Sequence, residues 1–458
     1  QERRNVLMSR PDSVRPGRRV LVWAAAVLIL VLAARTAAAA SPVSRRLLTN
    51  GLTMVYEHNP ASPLTVLSLV IKGGQRDEPE GLAGLSHFTA RLLLEIQDAQ
   101  SAQALMQQAS STGMAALADV SLFSVEALSE HFEDTLRIVS QSLFNPLFSA
   151  IRLDHVKESM NYQRLVLEDD AVQLGHQAQL RAAFGDTAYG PPSFGTEQSL
   201  KTIGKKQASE FYRSHFRSGG VVLAVVSDLP EDAVAAVIQK TWPAFPSGPA
   251  PDPLPLKPFP LVQGKTYLSK QTNQTLISYG FRLPELTARN FALASLAENI
   301  LGKGPGSRLW PLRQKEKLAY NVAAEATLFK EAGLLEIYLE TDPARAGLAA
   351  ARLKQVLSEL TEHGIDAEEL QTAKAMAKAN ALRDNETKDR RCSNRAFWEA
   401  AGLGADFLER LAAEVDSVSG EEFHAFVRTC LDPDRASLVV VGPADIPLVP
   451  EVREETRR

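Results

Sequence analysis

The segment "GGQRDEPEGLAGLSHFTARLLLE", residues 73–95, carries a glycine-marked turn, a charged stretch and then an amphipathic helix pattern. Its one histidine is His87. Residues four apart share a helix face, so a helical metal site would place a second histidine at 91. Arg91 stands there, preceded by Ala90. The segment is either an ordinary amphipathic helix or a metal-binding helix that has lost its ligands, and its surroundings decide which.

Outward from it, the chain reads as a duplicated α+β unit. Strand-like "GLTMVYEHNP" (51–60) and "LTVLSLVIKGG" (64–74) precede the helix. "DVSLFSVEAL" (119–128), the helix pattern "HFEDTLRIVSQSLF" (131–144) and β-rich "GGVVLAVVSDL" (219–229) follow. The order recurs in "KTYLSKQ" (265–271), "QTLISYGFRL" (274–283), "NFALASLAENILG" (290–302), "AGLLEIYLET" (332–341), "ARLKQVLSELTEHG" (351–364) and "RASLVVVGPA" (435–444). Between the two runs lies "PAFPSGPAPDPLPLKPFP", 243–260, whose eight prolines fix φ and lack N–H donors. It predicts an extended, semi-rigid linker that permits hinge motion. The expected organisation is a first domain over 42–242, the linker over 243–260, a second domain over 261–446 and a charged tail over 447–458.

The 458 residues carry 50 basic and 54 acidic side chains, a net charge of -4 that points to neither nucleic acid nor an anionic membrane as partner. Residues 1–40 read as a secretory signal peptide, with Met8 a candidate start. Arg15, Arg18 and Arg19 form a basic region, Val20 to Ala34 an apolar run, and small residues follow to Ala40. Export to the periplasm, with no membrane anchor after cleavage, is the expectation. Cys392 and Cys430 show no C-x-x-C spacing. A disulfide and two free thiols are both compatible with the sequence.

At this point the chain resembles the M16 (pitrilysin-like) zinc peptidases, of the two-domain bacterial and processing-peptidase type. The match rests on the opening segment, on "AFGDTAYGPPSFGTEQSLKTIGKKQASEFYRSHFRSGGVVLAVVSDL" (183–229) and on "ILGKGPGSRLWPLRQKEKLAYNV" (300–322). The resemblance implies two homologous α+β domains, each a mixed or antiparallel sheet with helices, facing each other as a clamshell. It also implies a helix bearing H-x-x-E-H, with a third zinc ligand, a glutamate, far downstream. In that register His87 matches the first histidine, Ala90 the general-base glutamate, Arg91 the second histidine, and Glu168 (or Asp169) the third ligand. Arginine carries a permanent charge and no free lone pair, so it cannot ligate zinc, and alanine cannot take a proton from water. One histidine and one carboxylate fall short of three protein ligands. No metal or other cofactor is therefore expected in this chain. Arg91 and Glu168 are expected to form an ion pair in the vacated site.

None of the other histidines, His58, His131, His155, His176, His215, His363 and His424, pairs with another at helical spacing. His131 and His215 read as helix-end or surface residues. The glycine-rich "LGKGPGSRLW" (301–310) is not a phosphate loop, because its lysine comes too early. The resemblance gives it the part of a flexible loop near substrate. "LRQKEKLAY" carries Arg313 and Tyr320, which match the family's pair of substrate- and oxyanion-binding donors. "STGMAALADVSLFSV" (111–125) matches the edge strand to which peptide substrates add, with Met114, Ala115 and Ala116 departing from the family's polar pattern. Together these imply a non-catalytic subunit. Its partner is an M16 homologue that keeps H-x-x-E-H and holds the zinc, and its substrates are unfolded peptides. A stand-alone peptide-binding or structural protein of the same fold is the alternative.

Overall fold

The computed structural model describes residues 43–444, apart from 188, 244 and 260–263. The expected signal peptide and charged tail lie outside the described residues. Among the described residues two sheets are present, one in each half. The first has the order β1-β2-β6-β3-β5-β4, with β1 Ser44–Leu47, β2 Thr53–His58, β3 Leu64–Lys72, β4 Ser111–Ala116, β5 Val120–Leu128 and β6 Val221–Ser227. The second has the order β7-β11-β8-β10-β9, with β7 Gly264–Ser269, β8 Thr275–Leu283, β9 Asn321–Leu328, β10 Gly333–Thr341 and β11 Ser437–Gly442. Only β2–β6 and β7–β11 run parallel; every other pair is antiparallel. Apart from β1, the sheets superimpose strand for strand in order and direction, so the duplication read from the sequence is a duplication of topology.

The strands explain their own composition. β3 reads "LTVLSLVIK" and buries seven consecutive residues, Thr65 to Ile71. A sheet covered on one face would alternate apolar and polar positions, whereas an apolar run means both faces are covered. One face of the first sheet packs on the helix Phe132–Phe144 and its neighbours through Leu67, Leu69, Phe123, Val125, Leu136 and Val139. The other face, with Val66, Val70 and Val226, is covered by Cys392 and Ala396 from Lys388–Ala400, a helix of the second half. The second sheet shows the reverse. The helix Ala171–Phe184, from the first half, packs on Leu276, Val439 and Val441.

Each half therefore lends a helix to the other's sheet, and polar groups fix both. Gln179, wholly buried, donates to the Ser278 carbonyl at 2.8 Å and accepts from the Ser437 hydroxyl. Gly175 admits the Leu276 side chain, whose Cδ2 would lie 2.2 Å from an added Cβ. In the reciprocal contact Lys388 Nζ donates to the carbonyls of Ser62 (2.7 Å) and Leu64 (2.8 Å). Arg391 and Arg395 both grip the buried Glu57 on β2. Residues 245–259 of the proline-rich stretch form neither helix nor strand. Rotation about that stretch would have to draw both exchanged helices out of their sheets. Cys392 and Cys430 are both free thiols. Among the described residues no helix is long and apolar enough to cross a membrane.

Candidate functional site

The helix carrying the degenerate motif runs Leu85–Leu94. Its start is held by Glu78 from the preceding turn. One Glu78 oxygen accepts Gly84 N–H at 2.8 Å, and the other accepts Ser86 N–H at 2.8 Å and the Ser86 hydroxyl at 2.6 Å. A carboxylate here satisfies amides that have no intrahelical partner. Desolvation in this partly buried position pushes its pKa up to about 8. Gly84 sits at φ +88°, and an added Cβ would lie 2.7 Å from Gly195 N, so only glycine admits the loop that crosses here. That loop brings Phe194 over the imidazole of His87, with ring centroids 4.4 Å apart.

His87 is 7% exposed and neither ring nitrogen has a hydrogen-bond partner. Burial, then the positive charge of Arg91, lowers its pKa to about 4. Arg91 turns to the helix Ala150–Asp169 and donates to Ser159 Oγ at 3.0 Å. The expected Arg91–Glu168 ion pair does not form. Glu168 lies on that same helix and pairs with Arg164, one turn earlier, at 2.6 Å. A partner four residues away on one helix is already in reach, whereas Arg91 would have had to span the gap between helices. Ala90 faces the core of the first half.

A zinc ion does not suit these residues. The imidazole packs against Phe194 in a tilted ring contact, Arg91 offers a guanidinium, and the Glu168 carboxylate is engaged by Arg164. Among the described residues no three histidine, cysteine or acidic side chains cluster as a metal would need. The neutral, buried His87 carries a testable consequence. A histidine whose folded pKa lies below its unfolded value costs stability as pH falls from about 6.5 to about 4, here by about 3 kcal/mol. His87→Phe should keep the ring contact and lose this acid sensitivity. Its stability relative to the parent, followed by denaturant titration, should rise as pH drops from 6.5 to 4. A difference that stays flat with pH would show that His87 does not titrate this way.

Of the other histidines, His215 ends the helix Lys205–His215 as expected, but it is buried rather than at the surface, stacked on Phe211. His131 is partly exposed at a helix start.

Beside the motif helix, β4 forms the outer edge of the first sheet. Its hairpin closes with Leu117 N–H on the Val120 carbonyl, so by alternation the peptide groups of Thr112, Met114 and Ala116 point away from β5. No hydrogen bond reaches those groups among the described residues, so an extended chain could add there. The matching edge of the second sheet, β9, is closed. Its outward Ala326 N–H is taken by Glu298 at 2.7 Å, from the helix Ala288–Leu301, and Lys303 holds Glu298 from behind at 2.7 Å. Gly302 packs so tightly that an added Cβ would lie 2.0 Å from Ala324 N. The glycine-rich segment thus serves close helix–strand packing at Gly302.

Arg313 and Tyr320 do not share one helix. Arg313 lies on the short helix Trp310–Gln314, and Tyr320 precedes β9 with its N–H on the Glu340 carbonyl at 2.8 Å. The turn between them passes through Lys317 at φ +50°, a left-handed position that non-glycine residues adopt at a cost of about 1 kcal/mol. Arg313 is exposed, its guanidinium 5.1 Å from the Trp310 ring centre, and Tyr320 is 59% exposed. Arg308 nearby is different. It forks onto Glu369 at 2.7 and 2.8 Å and holds the Gly364 carbonyl, so it is structural. Sequence reading singled out Arg313 and Tyr320 as candidates by resemblance. It missed Glu78, Phe194, Arg164 and Glu298, whose parts depend on contacts between distant segments.

Comparison with known proteins identifies the family. Residues 53–197 match the family described as Insulinase (Peptidase family M16), and residues 202–377 match Peptidase M16 inactive domain. A Bacillus subtilis protein named uncharacterized zinc protease YmxG is 22% identical over 88% of this chain and 98% of its own. A Helicobacter pylori protein named non-peptidase homolog YmxG is 24% identical over 85% and 91%. A crystal structure of a peptidase M16 inactive domain from Pseudomonas fluorescens has the same fold, with a TM-score of 0.79 at 22% identity over 88% of this chain and 98% of that one. The chain belongs to the M16 peptidase family.

Proposed function

We propose that this protein is the non-catalytic subunit of an exported, periplasmic heterodimeric M16 metallopeptidase. It forms half of a chamber for unfolded peptides and lends Arg313 and Tyr320 to the zinc site of a homologous partner that keeps H-x-x-E-H. One observation carries the reading. The Arg/Tyr pair stands exposed, without a charged or hydroxyl partner among the described residues, in a chain whose own metal positions are spent. Arginine and tyrosine supply N–H and O–H donors suited to a peptide carbonyl and to the oxyanion it becomes during hydrolysis. The zinc, held by the partner, would polarise that carbonyl or activate water.

The open edge of β4 favours a second reading, a stand-alone peptide-binding protein, since strand addition needs no metal. The two separate in one experiment. The chain is purified alone and together with an exported homologue bearing H-x-x-E-H, and hydrolysis of unstructured fluorogenic peptides is measured. Hydrolysis by the pair, with none by this chain and little by the homologue alone, is expected. Peptide binding by this chain with no gain in the homologue's activity would replace the subunit reading with the second.

A further inference from the structure

The hairpins that end the two edge strands meet at their tips. Leu117–Val120 joins β4 to β5, and Phe329–Ala332 joins β9 to β10, each closed by a first-to-fourth N–H···O=C bond, of 2.8 and 2.7 Å. Asp119 and Glu331 hold equivalent places in these turns. Tyr189 stands between them, 1% exposed and stacked on Phe329 at 4.3 Å between ring centres. Its hydroxyl lies 3.0 Å from Asp119 Oδ1 and is also hydrogen-bonded to the Glu331 carboxylate. The second Asp119 oxygen accepts Lys330 N–H at 3.0 Å, and Glu331 receives Arg76 Nε at 3.0 Å.

The hydrogen-bond inventory does not close with both carboxylates ionised. A tyrosine hydroxyl owns one proton and can donate it to one acceptor. If it donates to Glu331, the oxygen of Asp119 that faces it needs a proton of its own. Arg76 neutralises Glu331, so the extra proton belongs on Asp119. We propose that these tips form a proton-dependent clasp between the two halves, closed while Asp119 is protonated and loosened when it ionises.

The pKa of Asp119 agrees, pushed up to about 6 by burial, with the charges of Glu331 and Asp77 adding to it. The charged groups facing Asp119 come from both halves. Glu331 is on the second-half tip, Asp77 and Arg76 on the turn after β3, and His215 beside Asp77. Asp77 accepts Gly74 N–H, and His215 packs on Phe211, so both keep their surroundings inside the first half if the tips part.

The sign follows from linkage. A carboxyl whose pKa is higher in the clasped state, about 6 against 3.8, favours that state fully below its solvated value. This advantage is lost as pH rises from about 4 to about 6. A gap of about two pKa units changes the open-to-clasped ratio about a hundredfold. The exchanged helices stay in place, so the opening is local and frees the ends of β4 and β9 from each other.

Amide hydrogen exchange of the full chain at pH 4.5 and 7.5, corrected for intrinsic rates, tests this. Protection of residues 114–121 and 328–334 should fall at least about tenfold at the higher pH, while the exchanged helices stay unchanged. Asp119→Asn should stay protected at both pH values, because its amide accepts from Lys330 and donates to Tyr189 as the protonated acid does. Glu331→Gln removes a facing negative charge and should move the step to lower pH. Equal protection of the parent at both pH values, or an unaltered step in Asp119→Asn, would overturn the clasp. If Asp119→Asn does not fold, an unmoved step in Glu331→Gln overturns it.

Discussion

Arg395→Ala is expected to lower the unfolding free energy by about 3–5 kcal/mol, the loss typical of removing one partner from a buried ion pair. Arg395 and Glu57 side chains are 4% and 3% exposed, on opposite sides of the contact between the exchanged helix Lys388–Ala400 and the first sheet. The guanidinium bonds Glu57 through Nε, the Ala405 carbonyl through Nη1 at 2.7 Å and Glu409 through Nη2 at 2.7 Å. Its removal leaves Glu57 with Arg391 alone, at 2.6 Å, and strands Glu409 and a carbonyl. Denaturant titration of the variant should show the loss. Removing both charges at once should cost much less, because a buried pair replaced by apolar groups of similar volume is close to neutral. The double variant Glu57→Leu, Arg395→Met should therefore recover part of the stability lost by Arg395→Ala, the remainder being the stranded Glu409, Ala405 carbonyl and Arg391. A single variant within about 1 kcal/mol of the parent would mean that Arg395 does not hold the exchanged helix, which would then rest on Cys392 and Ala396, Lys388 and Arg391.

Arg313→Ala and Tyr320→Phe are each expected to lower kcat/KM of the proposed peptidase pair about a hundredfold. That is the effect of losing one donor aimed at a developing oxyanion. Both side chains are exposed and neither supports the fold of its own half, so the variants should keep the melting behaviour and assembly of the parent. Arg308→Ala is the contrast. It removes the fork onto Glu369 and the bond to the Gly364 carbonyl, so it should lower stability first. If both Arg313→Ala and Tyr320→Phe left turnover by the pair unchanged, these residues would have no part in the partner's chemistry.

Much of the candidate site was legible because it depends on side-chain chemistry at a fixed helical spacing. Arg91 and Ala90 rule out the metal wherever the helix lies, since neither can act as a ligand or a base. Arg91 and Glu168 show where such reading stops. Both were placed by family register, and each found another partner, Ser159 and Arg164, because a charge takes the nearest group that satisfies it. His215 shows the same limit, since its helix-end position was readable and its burial was not.

The sequence by itself determined the duplicated α+β plan, and it singled out His87, Ala90, Arg91, Arg313 and Tyr320 as candidates. Those follow from periodicity, from the donor and acceptor capacity of single side chains, and from local motifs. Only the tertiary structure decided what covers each sheet and which strand edge stays open. It alone brought Asp119, Tyr189 and Glu331 together. The covering helices come from opposite halves, Glu298 closes one edge while the other is left free, and the two hairpin tips meet around a buried hydroxyl. Each of these joins segments far apart along the chain, and such contacts are set by the packing of whole sheets and helices, which no local pattern records.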